Sequence, residues 1–298
     1  QALKEEIQGS RGLVAWVRQQ VIPEGRELAR LAQERVWSEY WKDQPPTPQK
    51  IAQHVDALLC SLLDKEYEIY LEYERECARQ APELVLSEEG ARHFPNAAKL
   101  LRSALQVIAD SQKPPSHKLG EIAGYLRPFY QVFEQSLAQG RRGRAGGSAQ
   151  LHIEYLLHQL GYTGEFETQQ VLNGKVDFLF PSKAAWERDR QRCIIVSVKR
   201  SIRERYKQVF EELDLTKGLT IYLIVTEPLE EARKDLTSAK VEHITQQNIY
   251  LVVRDAVKEA QFSKERQILG FTQFFNEELP LRRQLWKPLL QNGLKVPE

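Results

Sequence analysis

The 298-residue sequence contains no methionine and only three cysteines, Cys60, Cys77 and Cys193. Three cysteines at long spacings make neither a disulfide framework nor a metal-binding pair, so a reducing compartment, the cytoplasm, is the expected location. Because methionine is missing even at the first position, the translation product is expected to hold residues absent here. No apolar run reaches the roughly 18 residues needed to cross a bilayer, and the polar first ten residues lack a secretory signal pattern. No membrane partner is expected. Charge of either sign is not in excess: 42 Lys+Arg against 41 Asp+Glu leave +1, which by itself gives no sign of a polyanionic partner. The six histidines show no ligand spacing; His152 and His158 fall on different faces of one helix. What remains, 42% hydrophobic and 28% charged residues, is the composition of a folded globular chain.

Residues 2–140 follow the helical period: Leu13, Val14 and Val17, then Leu28, Leu31 and Ala32, then Val55, Leu58, Leu59 and Leu62 recur at three- and four-residue steps. Proline-rich breaks at Pro23, 43–48, Pro95 and 113–115 divide this half into five or six expected helices. A glycine- and arginine-rich junction at 140–148 then separates an all-α helical domain, 1–140, from a second domain, 141–298. The second domain opens with an expected helix, 150–160, ended by Gly161. A hairpin follows, with strands at 165–172 and 175–180 around Asn173-Gly174, the strongest short-range turn signal. Apolar, β-branched runs at 193–198, 219–226 and 249–253 alternate with helical stretches, one at about 202–213. The expected class is therefore α/β, a mixed central sheet flanked by helices. From 262 onward the chain reads as helix and then tail.

Asp177, between Val176 and Phe178, is costly to bury unless it is paired or binds a cation. The next strand ends Ser197-Val198-Lys199, and the two-residue alternation of a strand puts Ser197 and Lys199 on one face. If the two strands are neighbours, an acid and a lysine meet at one sheet edge, where a divalent cation and an activated water could sit. From Lys199 to Lys207 five cations face a single acid. Within that stretch Arg203-Glu204-Arg205 suits the reading of G·C pairs, because arginine bonds guanine O6 and N7 in pairs while glutamate accepts from the cytosine amine. Ser201 with Glu204 also fits a helix capping box. Glu211 and Glu212 are adjacent acids on the same expected helix, and physics alone does not choose between them.

In this order, Asp177, Ser197-x-Lys199, Arg203-Glu204-Arg205 and Glu212 resemble the PD-(D/E)xK type II restriction endonucleases that recognise CCGG, CCNGG or CCWGG. That family replaces the usual glutamate before x-Lys by a small residue and draws the carboxylate from the following helix, which implies Ser197 and Glu212 for those positions. Val176 stands where the motif name has proline. The resemblance, which covers about 146–225, implies Mg²⁺ held by Asp177 and Glu212. It implies that Lys199 orients or deprotonates the attacking water, and that Glu154 supports the metal site from the first helix of the nuclease core. It further implies DNA contacts from Arg203, Glu204, Arg205, Lys207 and Ser197, with Gln131 as a minor-groove reader. The partner implied is double-stranded DNA with a palindromic site, hence a homodimer, with a tetramer as the larger option. The products implied carry 5′ phosphates. A CCGG core is the expected site; interrupted CCNGG or CCWGG sites, read with base flipping, and a non-catalytic DNA-binding protein on the same fold are the alternatives.

Overall fold

The computed structural model describes residues 2–8, 11–42, 44–144, 147–168, 176–202 and 219–291. Two compact units divide the chain: Gln1–Leu31 with Glu66–Ala145, and Ala32–Lys65 with Gly146–Glu298.

The described part of 2–144, which supplies the first unit and the 32–65 stretch of the second, is helical. Eight helices lie among the described residues of 2–144: α1 (Ala2–Ile7), α2 (Leu13–Val21), α3 (Gly25–Trp41), α4 (Pro48–Gln53), α5 (Val55–Leu86), α6 (Glu88–His93), α7 (Pro95–Ala109) and α8 (Pro115–Arg144). The sequence led us to expect five or six. The additional ones, α1, α4 and α6, are six residues long, shorter than the window over which a helical period can be read. The proline breaks become helix starts: Pro48, Pro95 and Pro115 each open a helix, where a missing N–H costs nothing. Within the unit α7 is capped from a distance. The Glu6 carboxylate accepts from the Asn96 amide at 3.0 Å and the Ala97 amide at 2.9 Å, placing a negative charge on a helix N-terminus.

The second unit is built on a six-stranded sheet in the order β1 (Glu167–Thr168), β2 (Phe178–Phe180), β3 (Ile194–Lys199), β4 (Ile221–Val225), β5 (Ile249–Val253) and β6 (Ile268–Gly270). The β1–β2–β3 pairs are antiparallel and β3 through β6 are parallel, so the sheet is mixed and flanked by helices as expected. Residues 194–198 are buried without interruption, and so is all of β4, because helices cover both faces. The hairpin turn at Asn173-Gly174 and the helix expected at 202–213 fall outside the described residues, apart from the start of the latter. Helix α9 (Gly147–Gln159) matches the expected first helix and ends at Gly161, whose φ of +86° is a conformation that glycine adopts without strain. The sequence missed β6, a three-residue strand whose alternation is too short to register.

Residues 32–65 belong to this second unit. Val36, Ile51, Val55, Leu58, Leu59 and Leu62 are buried in the same cluster as the strands. The Asn276 side-chain amide donates to the Ala52 carbonyl at 2.8 Å, and Trp37 meets Tyr155 edge-on with centroids 5.1 Å apart. The boundary expected at 140/141 thus follows the sequence order, while in space a stretch of the helical half fills the core of the sheet unit.

Candidate active site

Strand β2 pairs with β3 in the register Phe178↔Val196, Leu179↔Ile195, Phe180↔Ile194. Continued one residue outward, that register sets Asp177 opposite Ser197. The strands stop pairing there, and the last open amide of β3 is taken by the acid: Val198 N–H donates to Asp177 Oδ2 at 2.7 Å. An acid expected to be expensive beside an apolar strand is thereby bonded to the backbone of its neighbour. The main-chain carbonyl of Asp177 accepts in turn from Gln150 Nε2 of α9 at 3.4 Å. Ser197 is buried, 3% exposed, and Lys199 is half-buried two residues on, sharing its face of the strand.

Glu154 lies one turn along α9 from Gln150, so it occupies the helix face that meets Asp177. The structure therefore brings Asp177, Ser197 and Lys199 to one end of the neighbouring strands β2 and β3, with the Glu154 face of α9 beside them. Gln131 is on α8 in the helical unit and is exposed. Arg203, Glu204, Arg205, Lys207 and Glu212 lie outside the described residues. Among the described residues, no three His, Cys, Asp or Glu groups converge in a metal-binding arrangement. Asp177 and Glu154 supply hard oxygen donors of the kind Mg²⁺ takes.

On the other side of β3, Lys199 is tied to β4. In the parallel register Lys199↔Val225, the Thr226 amide donates to the Lys199 carbonyl at 3.1 Å as the last rung of the ladder. Glu227 follows directly and is 1% exposed. The cost argument that singles out Asp177, an acid abutting an apolar strand, applies equally to Glu227 in Val225-Thr226-Glu227-Pro228, and it was the available signal for this residue. Gln150 carried no signal beyond its four-residue spacing from Glu154. Arg200, next to Lys199, forms a 3.8 Å ion pair with Glu231 of helix Leu229–Asp235, and both side chains are substantially exposed, so the pair contributes little. Burial pushes the Cys60 and Cys193 thiols up to about 12, which disfavours the thiolate at neutral pH.

Comparison with known proteins sets this geometry in context. A family model described as EcoRII C terminal matches residues 122–275. The type II restriction enzyme EcoRII of Escherichia coli is 36% identical over 166 residues, covering 46% of this chain and 41% of that protein. The chain thus matches about two fifths of the length of that relative. Among solved structures, metal-depleted Ecl18kI in complex with uncleaved, modified DNA superposes with a TM-score of 0.68 at 15% identity, covering 95% of this chain and 84% of the other. A complex of restriction endonuclease PspGI with substrate DNA gives a TM-score of 0.56 at 19% identity, covering 90% and 96%. At such identities these structures show a shared fold.

Proposed function

Because the chain belongs to the EcoRII C-terminal family, whose model matches more than half of it, we propose that it is a Mg²⁺-dependent type II restriction endonuclease. It cleaves double-stranded DNA at a palindromic site containing CCGG and leaves 5′ phosphates. The observation that carries this reading is the pinning of Asp177 to the Val198 amide, which holds an acid beside the strand edge that ends in Lys199. In the proposed roles, Asp177 and Glu212 hold the metal, with Glu154 in support. Mg²⁺ bound there would stabilise the negative charge that develops on the phosphate and the leaving 3′ oxygen. Asp177 Oδ2 is committed to the backbone, so the carboxylate is oriented before any ligand arrives. Lys199 orients the attacking water and draws off its proton, and its half-buried position at a strand end limits the places its ammonium can reach. Arg203, Glu204 and Arg205 read the C·G pairs, Lys207 and Ser197 contact the DNA, and Gln131 reads the minor groove. A two-fold site calls for a homodimer, and the helical half contacts flanking DNA or carries the dimer interface.

A second reading of the site rests on one feature of the sequence: the three-residue gap between Lys199 and Arg203 resembles members that cut the interrupted sites CCNGG or CCWGG. Incubation with phage DNA and Mg²⁺ tests both readings. Discrete fragments are expected, and sequencing their ends separates CCGG from an interrupted site and gives the stagger. Lys199→Ala is expected to abolish cleavage while specific binding stays measurable. A Lys199→Ala variant that cuts plasmid at the wild-type rate overturns the catalytic assignment.

A further inference from the structure

The β3–β4 ladder ends at Lys199, and strands ordinarily fray at such a point. Here Arg254 reaches across from the end of β5. Its Nε donates to the Thr226 carbonyl at 2.8 Å, a charge-assisted bond on the same residue whose amide makes the last rung. The three strand ends are thus tied in series: Arg254 to the Thr226 carbonyl, and the Thr226 amide to the Lys199 carbonyl at 3.1 Å. Arg254 is itself a fixed point. Its carbonyl accepts from Val257 at 2.9 Å and Lys258 at 3.0 Å as the N-cap of helix Asp255–Gln261, and its Nη2 lies 3.8 Å from Asp64 Oδ1. A long cationic side chain that is mostly covered and bonded to a main-chain oxygen gives up hydration for position.

We propose that Arg254 is a positioning residue for Lys199: by clamping Thr226 it holds the end of β3 where the ammonium of Lys199 meets the Asp177 edge, and it fixes buried Glu227 on the same turn. The proposal rests on the nuclease reading above and goes beyond it by assigning a role to a residue outside the family motif. Displacing a catalytic group by about 1 Å can cost on the order of a hundredfold in rate. For Arg254→Met, which keeps the apolar stem and removes the donor, single-turnover cleavage of plasmid by the full chain should fall about tenfold or more. Equilibrium binding of the same DNA without Mg²⁺ should stay within about twofold of wild type, since no base or phosphate contact is removed. Arg254→Lys, which can still donate to the Thr226 carbonyl, should recover most of the lost rate. Hydrogen exchange of the peptide containing Thr226 should speed up in Arg254→Met and return toward wild type in Arg254→Lys. If Arg254→Met cuts at the wild-type rate, or if binding falls as far as cleavage, the proposal is overturned. If Arg254→Met does not fold, Arg254→Gln, whose shorter polar side chain reaches the Thr226 carbonyl poorly, is expected to lower the rate several-fold with binding unchanged, and an unaltered rate overturns the proposal. A wild-type protein that cuts no DNA sinks the nuclease reading itself, whereas an active wild type with an indifferent Arg254 sinks only this inference.

Discussion

Oδ2 of Asp177 is bonded to the Val198 amide. Asp177→Asn can keep that acceptor through its own side-chain oxygen while losing the charge. It is therefore expected to melt within a degree or two of wild type and yet cleave about 10²–10³-fold more slowly, the scale of a lost electrostatic contact at a reacting centre. Single-turnover cleavage beside a thermal melt checks both halves. The family spacing selects Glu212 over Glu211, so Glu212→Ala should abolish cleavage and Glu211→Ala should leave it near wild type. At this scale Asp177 and Lys199 of the candidate site were legible in the sequence, because an acid between Val176 and Phe178 and a lysine closing an apolar run are locally anomalous. Gln150 and Arg254 were not legible. Their roles consist of bonds to main-chain carbonyls of residues 27 and 28 positions away, which leave no trace in side-chain pattern.

Asp56, at the start of α5, shows how elements are joined and what that costs. Its Oδ1 accepts from the Asp255 amide at 2.9 Å at the N-terminus of helix Asp255–Gln261. Burial nonetheless raises its pKa above the usual carboxylate value; the amide and Arg254 oppose that shift, while Asp255 and Glu259 add to it. A raised folded-state pKa means the folded protein holds the proton more tightly than the unfolded chain. Stability from this group is thus fully present below the unfolded value of about 3.9 and is lost as pH rises through the folded pKa. Asp56→Asn keeps an acceptor for the Asp255 amide without the charge, so it should melt higher than wild type at pH 7, with the difference shrinking toward pH 4. On α7, Glu6→Ala removes a carboxylate from two helix-start amides and should cost about 1 kcal/mol of stability, read by denaturant unfolding. The long helices were readable because their period repeats several times, and the central strands because their apolar, β-branched runs are continuous. The six-residue helices and β6 were not, since each is fixed by what it packs against.

For the whole molecule, near-neutral charge is an average over regions of opposite character, with cations gathered at 199–207. Non-specific DNA affinity should therefore be low and should fall with added salt only as steeply as that short cationic stretch allows. Filter binding of a non-cognate duplex from about 50 to 200 mM salt measures the slope. If the two-fold reading holds, sedimentation equilibrium should return twice the 34.6 kDa chain mass, and a monomer that still cuts at discrete sites would refute the symmetric scheme.

Helix α5 runs unbroken from Val55 to Leu86, yet its first part, to Lys65, belongs to the sheet unit and the rest to the helical one. The gene therefore offers no single seam. A fragment beginning at residue 141 would leave behind Val36, Ile51, Val55, Leu58, Leu59 and Leu62, six side chains that fill the core under the sheet, and it should aggregate when expressed alone. Recombination that exchanged everything before the junction for an unrelated helical module would strip the sheet unit of part of its own interior. No split between residues 31 and 66 or at the 140–148 junction leaves both units whole, so new variants of this chain arise by substitution within it and not by the swapping of parts.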